Sequence, residues 1–202
     1  MPGVRGIDVS NVNGHVDWAA VAGAGPQYVF LKATEGLTFV DKRFASHRSE
    51  ARAAGLRVGF YHFARPDLHP HGATAEAAHF AHVVGTIAPD ELRPVLDHEK
   101  AASISPAEMT AWAGTFLAEV ERLTGVRPIL YSYPDFIATH MGRAHSLGGY
   151  PLWLASYGPN DGREHAFAIP SPAWKSAVVH QYSSRGRIPG IAGLLGEQWL
   201  SL

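Results

Sequence analysis

The sequence predicts an α/β fold, a modified TIM-type barrel whose helices thin out toward the C-terminus. Three observations predict it. Strand-like and helix-like segments alternate up to about residue 140, the pattern of right-handed βα units around a mostly parallel sheet. Acids, tyrosines and a glutamine recur at the C-terminal ends of the strand-like segments, which in a barrel open onto one rim. The chain has 202 residues, short for a full barrel, so closure requires the last third to give up helices.

The elements follow in order. Residues 4–9 read as a first strand and 17–22 as a short helix opened by Asp17. Residues 28–34 (Tyr-Val-Phe-Leu-Lys-Ala-Thr) read as a second strand, followed by a helix over about 41–54 that stops at Gly55. A third strand covers 57–63, an amphipathic helix 74–86 and a fourth strand 93–99. The longest helix has Ser105 as N-cap, Pro106 at its first position and Gly125 at its end. Its Met109, Trp112, Phe116, Leu117, Val120 and Leu123 fall at helical spacing, which is core packing. A fifth strand over 127–133 leads into a short helix over 134–140. Then the rhythm changes: 151–157 and 177–183 read as strands, with a Gly/Pro-rich stretch and no helical pattern between them.

Composition bounds the class. With 46% hydrophobic and 17% charged residues the chain suits one globular domain, taken as 1–202. A formal net charge of -1 and no basic stripe exclude electrostatic capture of nucleic acid. No apolar run approaches a membrane span, and with no cysteine there are no disulfides. Residues 1–5 carry no charged-then-apolar signal, so the expected route is synthesis in the (host) cytoplasm and pore-mediated release to the bacterial wall.

The chemistry is concentrated in Asp97-His98-Glu99. In an extended chain Asp97 and Glu99 share one face and His98 takes the other. Two neighbouring carboxyl groups cannot ionise independently, so one tends to keep its proton. A proton donor beside a carboxylate is the equipment for breaking a glycosidic bond. The other polar strand-end residues are Asp8, Glu35, Tyr61, His62, Tyr131, Tyr133, Tyr157 and Gln181. Together they predict an open, acidic, aromatic-lined groove.

Six ordered blocks then carry a resemblance. They are Gly6-Ile7-Asp8-Val9-Ser10, Phe30-Leu31-Lys32-Ala33-Thr34-Glu35-Gly36, Gly59-Phe60-Tyr61-His62-Phe63-Ala64-Arg65-Pro66, Pro94-Val95-Leu96-Asp97-His98-Glu99, Leu152-Trp153-Leu154-Ala155-Ser156-Tyr157 and Gln181-Tyr182-Ser183-Ser184. The chain resembles the glycoside hydrolase family 25 lysozymes, the Chalaropsis-type muramidases common in bacteriophage endolysins. The resemblance implies about five βα units followed by strands without full helices, a (β/α)5(β)3-like barrel. It implies hydrolysis of the β-1,4 bond from N-acetylmuramic acid to N-acetylglucosamine in peptidoglycan; a monomer acting on peptidoglycan glycan strands without cofactors is expected.

The resemblance also implies roles. Glu99 matches the general acid, and Asp97 the partner that orients the substrate's N-acetyl group or stabilises charge at the anomeric carbon. Asp8 matches a further groove carboxylate and Tyr61 a hydroxyl close to the reacting sugar. Lys32 and Glu35 are expected to form a bracing pair, and His62, Tyr131, Trp153, Tyr157 and Gln181 to complete the substrate-binding set. One departure stands out: Gly196 occupies the position where an Asp is expected after Pro189-Gly190-Ile191-Ala192-Gly193. Glu197 is one residue on, and in a strand that shift reverses its face. The expected consequence is a lost peripheral carboxylate and reduced or altered activity.

Alternatives remain at this level. The 12 histidines, including His69-Pro70-His71, raise a metal-dependent hydrolase, although His98 points away from the acid pair and the others lack ligand spacing. A catalytically impaired glycan-binding relative is a second, made credible by Gly196. A chitinase-type barrel is a third, but Pro94, Val95 and Leu96 stand where its further acids belong.

Overall fold

The computed structural model describes residues 3–66, 72–142 and 146–200. Strands β1 (Val4–Val9), β2 (Tyr28–Glu35), β4 (Arg57–Phe63), β5 (Val95–Asp97), β6 (Ile129–Ser132), β7 (Leu152–Ala155), β8 (Val179–Gly186) and β9 (Leu195–Leu200) close into an eight-stranded barrel; β3 (Phe39–Val40) is a short antiparallel appendage on β2. Closure is made by the parallel β1–β2 pair, in which Asp8 lies opposite Phe30. All barrel strands run parallel except β9, which is antiparallel to both β1 and β8. Helices α1 (Trp18–Gly23), α2 (Phe44–Ala53), α3 (Gly72–Val84), α4 (Pro106–Thr124) and α5 (Pro134–His140) accompany the first part of the chain. No α-helix follows α5 among the described residues.

Strand alternation divides the core in two. One face of each strand points into the barrel, where Tyr28, Phe30, Val95, Ile129, Tyr131, Trp153 and Val179 interlock. The opposite face, with Ile7, Val29, Leu31, Val58, Phe60, Leu96, Leu130, Leu152 and Leu154, packs against the helices. Glycines make room inside the barrel: a Cβ at Gly59 would collide with the Phe30 ring, and one at Gly6 with Tyr28. The longest helix has the expected ends. The Ser105 hydroxyl accepts from the Glu108 N–H while the Glu108 carboxylate accepts from the Ser105 N–H, and Gly125 closes it at φ 71°.

Two strands escaped the sequence reading, β3 because two residues carry no period and β9 because its alternation is weak. Gly196 and Gln198 face the barrel interior, where apolar residues are the norm, so the segment lacks a hydrophobic stripe. The expected fourth strand also stops at Asp97 rather than residue 99.

Candidate active site

The C-terminal ends of the parallel strands open onto a groove of about 380 Å³. Asp8 reaches it from β1, Lys32 from β2, Tyr61 and Phe63 from β4, Asp97 from β5, Tyr131 from β6, Trp153 from β7 and Gln181 from β8. Glu99 and Tyr157 enter two residues beyond their strands, and Ser10, Ser184 and Gly196 complete the edge. Each inward residue is fixed by strand parity. Asp97, for instance, is registered between Phe63 and Tyr131, both of which also line the groove.

Gln181 ties the floor together. Its Nε2 donates to Asp8 Oδ2 at 2.7 Å, and its Oε1 accepts from the hydroxyls of Tyr157 at 2.8 Å and Tyr131 at 3.1 Å. On the β2 side, Lys32 Nζ donates to Glu35 Oε2 at 2.6 Å and lies 4.8 Å from the centre of the Phe63 ring. Arg65 grips the other Glu35 oxygen, its Nε at 2.7 Å. Glu35 therefore stands behind Lys32 and braces it instead of facing the groove.

Electrostatics set the three acids apart from ordinary surface carboxylates. Burial, reinforced by the Glu99 charge, pushes Asp8 up to about 6 against the pull of the Gln181 hydrogen bond. Burial and then Glu99 hold Asp97 well above its usual range, and burial also raises Glu99. Lys32 opposes both of the latter shifts. Asp97 Oδ1 is buried and has no hydrogen-bond partner among the described residues. Burial lifts Tyr131 as well, and lifts Tyr157 to about 12, so both hydroxyls stay protonated donors. Glu35 behaves oppositely: burial would raise it, but Lys32 and Arg65 carry it below its ordinary value. Such a cluster can hold a proton near neutral pH beside an ionised neighbour.

Most residues singled out from sequence converge here, but His62 does not. It is fully buried on the outer face of β4, with Nδ1 2.8 Å from Thr34 Oγ1 and Nε2 2.7 Å from Glu76 Oε2. It stacks on Phe116 beneath α4. The substrate-binding expectation for His62 is therefore corrected: parity turns it outward while Tyr61 and Phe63 turn inward. Trp153 is only 2% exposed and is packed against Phe30 and Tyr131, so it forms the floor and offers no open platform. His98 is likewise buried, parallel to the Trp112 ring. His69, His71 and His145 lie outside the described residues, and no group of three or more potential metal ligands occurs among the described ones.

The Gly196 departure has a spatial explanation. Gly196 is registered opposite Asp8, and a Cβ there would collide with Asp8 Oδ2 and Gln181 Nε2. Glu197 faces the other way, as a one-residue shift requires, and accepts from Arg5 at 2.9 Å and Tyr182 at 3.0 Å. Sequence reading did not single out Ser10 or Phe63 for the groove, although Phe63 shares a β4 face with Tyr61 and Ser10 lies just past the end of β1, two residues from Asp8.

The chain belongs to the glycosyl hydrolases family 25, whose family model matches residues 7–191. Lysozyme M1 of Streptomyces globisporus is 34% identical over 202 residues, spanning 95% of this chain and 65% of that protein. The chain thus spans just under two thirds of that relative. The crystal structure of the bacterial lysozyme from Streptomyces coelicolor superposes with a TM-score of 0.89 at 31% identity, covering 99% of this chain and 93% of the other. A family GH25 lysozyme from Aspergillus fumigatus gives 0.86 at 31% identity, with 98% and 94% covered.

Proposed function

We propose that the chain is an N-acetylmuramidase that hydrolyses the β-1,4 bond from N-acetylmuramic acid to N-acetylglucosamine in peptidoglycan. The observation that carries this is the convergence of Asp8, Asp97 and Glu99, all with raised proton affinity, in one groove at the barrel mouth. Family membership supports the reaction class.

Glu99 is the general acid that protonates the leaving glycosidic oxygen, since it enters the groove beyond the strand end and shares with Asp97 a proton that burial of the pair retains. Asp97, which lines the groove beside Glu99, receives the N–H of the substrate's acetamido group on its groove-facing oxygen. The acetamido oxygen is then the nucleophile, because Asp97 and Glu99 reach the groove from adjoining positions and neither commands its opposite face. This is a substrate-assisted route, which proceeds with net retention.

The test is NMR of the first-formed product together with a de-N-acetylated glycan. Retention and very slow cleavage of the de-N-acetylated glycan are expected. Inversion would transfer the nucleophile to a water activated by Asp8. Binding of wall glycan without any release of reducing sugar would reduce the protein to a lectin-like relative.

A further inference from the structure

Asp97 and Glu99 account for proton delivery and acetamido binding, which leaves the third carboxylate. Asp8 is a groove acid with a direct side-chain hydrogen-bond partner. Its Oδ2 accepts from Gln181 Nε2 at 2.7 Å, and the adjoining main chain of Gly196 and of Asp8 also favours the anion. The amide of Gln181 is committed on its other side, where Tyr157 and Tyr131 both donate to Oε1. With its oxygen so occupied, only the NH₂ group remains for Asp8. A flipped amide would set oxygen against oxygen at Asp8 and NH₂ against the two hydroxyls.

Space completes the arrangement. Gly196, across the β1–β9 pair, has no side chain, and any Cβ there would enter the positions of Asp8 Oδ2 and Gln181 Nε2 at once. We propose that Gln181 is a positioning residue that holds the Asp8 carboxylate in place in the groove, and that Gly196 leaves the space this contact occupies. In this chain the Asp8 and Gln181 side chains occupy the space beside Gly196 that a side chain there would need. This inference rests on the muramidase reading for its catalytic meaning, but the Gln181–Asp8 coupling is measurable without it.

The groups facing Asp8 are Tyr28 from β2, Tyr61 from β4, Asp97 and Glu99 at and beyond β5, Tyr131 from β6 and Tyr157 beyond β7. None of these is a cation, and β9 contributes only Gly196, since Glu197 faces outward. The Gln181 amide is thus the main side-chain group that stabilises the Asp8 anion. Its loss moves the Asp8 pKa upward, and because the Asp8 anion in the groove would stabilise positive charge developing at the anomeric carbon, the acidic limb of the rate profile follows it to higher pH.

The experiment is a carboxyl ¹³C NMR titration of aspartate-labelled protein, with Asp8 assigned by its absence in Asp8→Asn, paired with pH–rate profiles on peptidoglycan. In Gln181→Leu, Asp8 should titrate about one pH unit or more above wild type, and the acidic limb should move by the same amount. Gly196→Ala attacks the contact from the other side, so the proposal stays testable if Gln181→Leu fails to fold. An unchanged Asp8 titration in either variant, or a rate loss uniform across pH, would overturn it. If the wild-type protein released no muropeptide, the muramidase reading would fail while the NMR titration still decided the coupling.

Discussion

Lys32 and Glu35 form a 2.6 Å ion pair at the end of β2, and the Lys32 ammonium is the one cation among the described residues that line the groove. Phe63 and Phe39 flank it, at 4.8 and 5.5 Å from their ring centres, and Arg65 fixes Glu35 from behind. The charge is held where it opposes the raised proton affinity of Asp97 and Glu99.

Replacing Lys32 by Met should therefore let Asp97 and Glu99 hold their protons to higher pH. The pair titrates jointly, so both of its steps move upward and the rate maximum moves toward the alkaline side. A pH–rate profile checks this; lower activity with an unmoved maximum would contradict it.

Glu99→Gln should keep the fold and the affinity for wall glycan but lose turnover by roughly 10²–10⁴-fold, since an amide cannot deliver the proton. Steady-state rates of reducing-sugar release, with pelleting assays for binding, separate the two effects. Near wild-type lysis would remove Glu99 from its assigned role.

Asp8 ties the groove to the stability of the molecule. Its folded pKa, about 6, lies above the ordinary 3.8, so the native state binds more protons than the unfolded chain in that window. Stability must then fall as pH rises through it, by about 3 kcal/mol for this group alone. Asp8→Asn removes the ionisation while keeping an oxygen for Gln181 to donate to. The variant should melt above wild type at pH 7 and lose that advantage by pH 4. Parallel melting curves at the two pH values decide it, and a variant less stable at pH 7 would show that the Asp8 charge costs the fold nothing.

His62 and Glu76 are structural by this account. Glu76 is buried, meets His62 Nε2 at 2.7 Å and accepts the Arg65 main-chain N–H at 3.1 Å, tying α3 to the end of β4. Burial lowers His62, so the ring is neutral and donates to the carboxylate. Glu76→Ala should cost about 1–3 kcal/mol, since it strands two buried donors. Turnover per folded molecule should be unaffected, and a large fall in kcat at full foldedness would place this network within the catalytic machinery.

Much of this was legible in the sequence because strand parity and barrel topology are strong constraints. The Asp97/Glu99 spacing, the tyrosines at strand ends and the outward turn of Glu197 all follow from a period of two. His62 was misplaced because being at a strand end was allowed to override that same period: one residue from Tyr61, it must face the helices. Strand β9 was missed because its inward positions, Gly196 and Gln198, are polar or absent where the barrel interior is otherwise apolar. The Gln181 contacts were out of reach for a different reason. They join β1, β6, β8 and the segment after β7, and Gln181 and Asp8 are 173 residues apart in sequence. No local pattern registers such a contact.

The most direct measurement is digestion of purified peptidoglycan followed by mass spectrometry of the released muropeptides, with Glu99→Gln as the matched control. The account predicts fragments ending in reducing N-acetylmuramic acid from the wild-type protein and none from the variant. Reducing N-acetylglucosamine ends, cleavage confined to the peptide stems, or equal release by both proteins would contradict it.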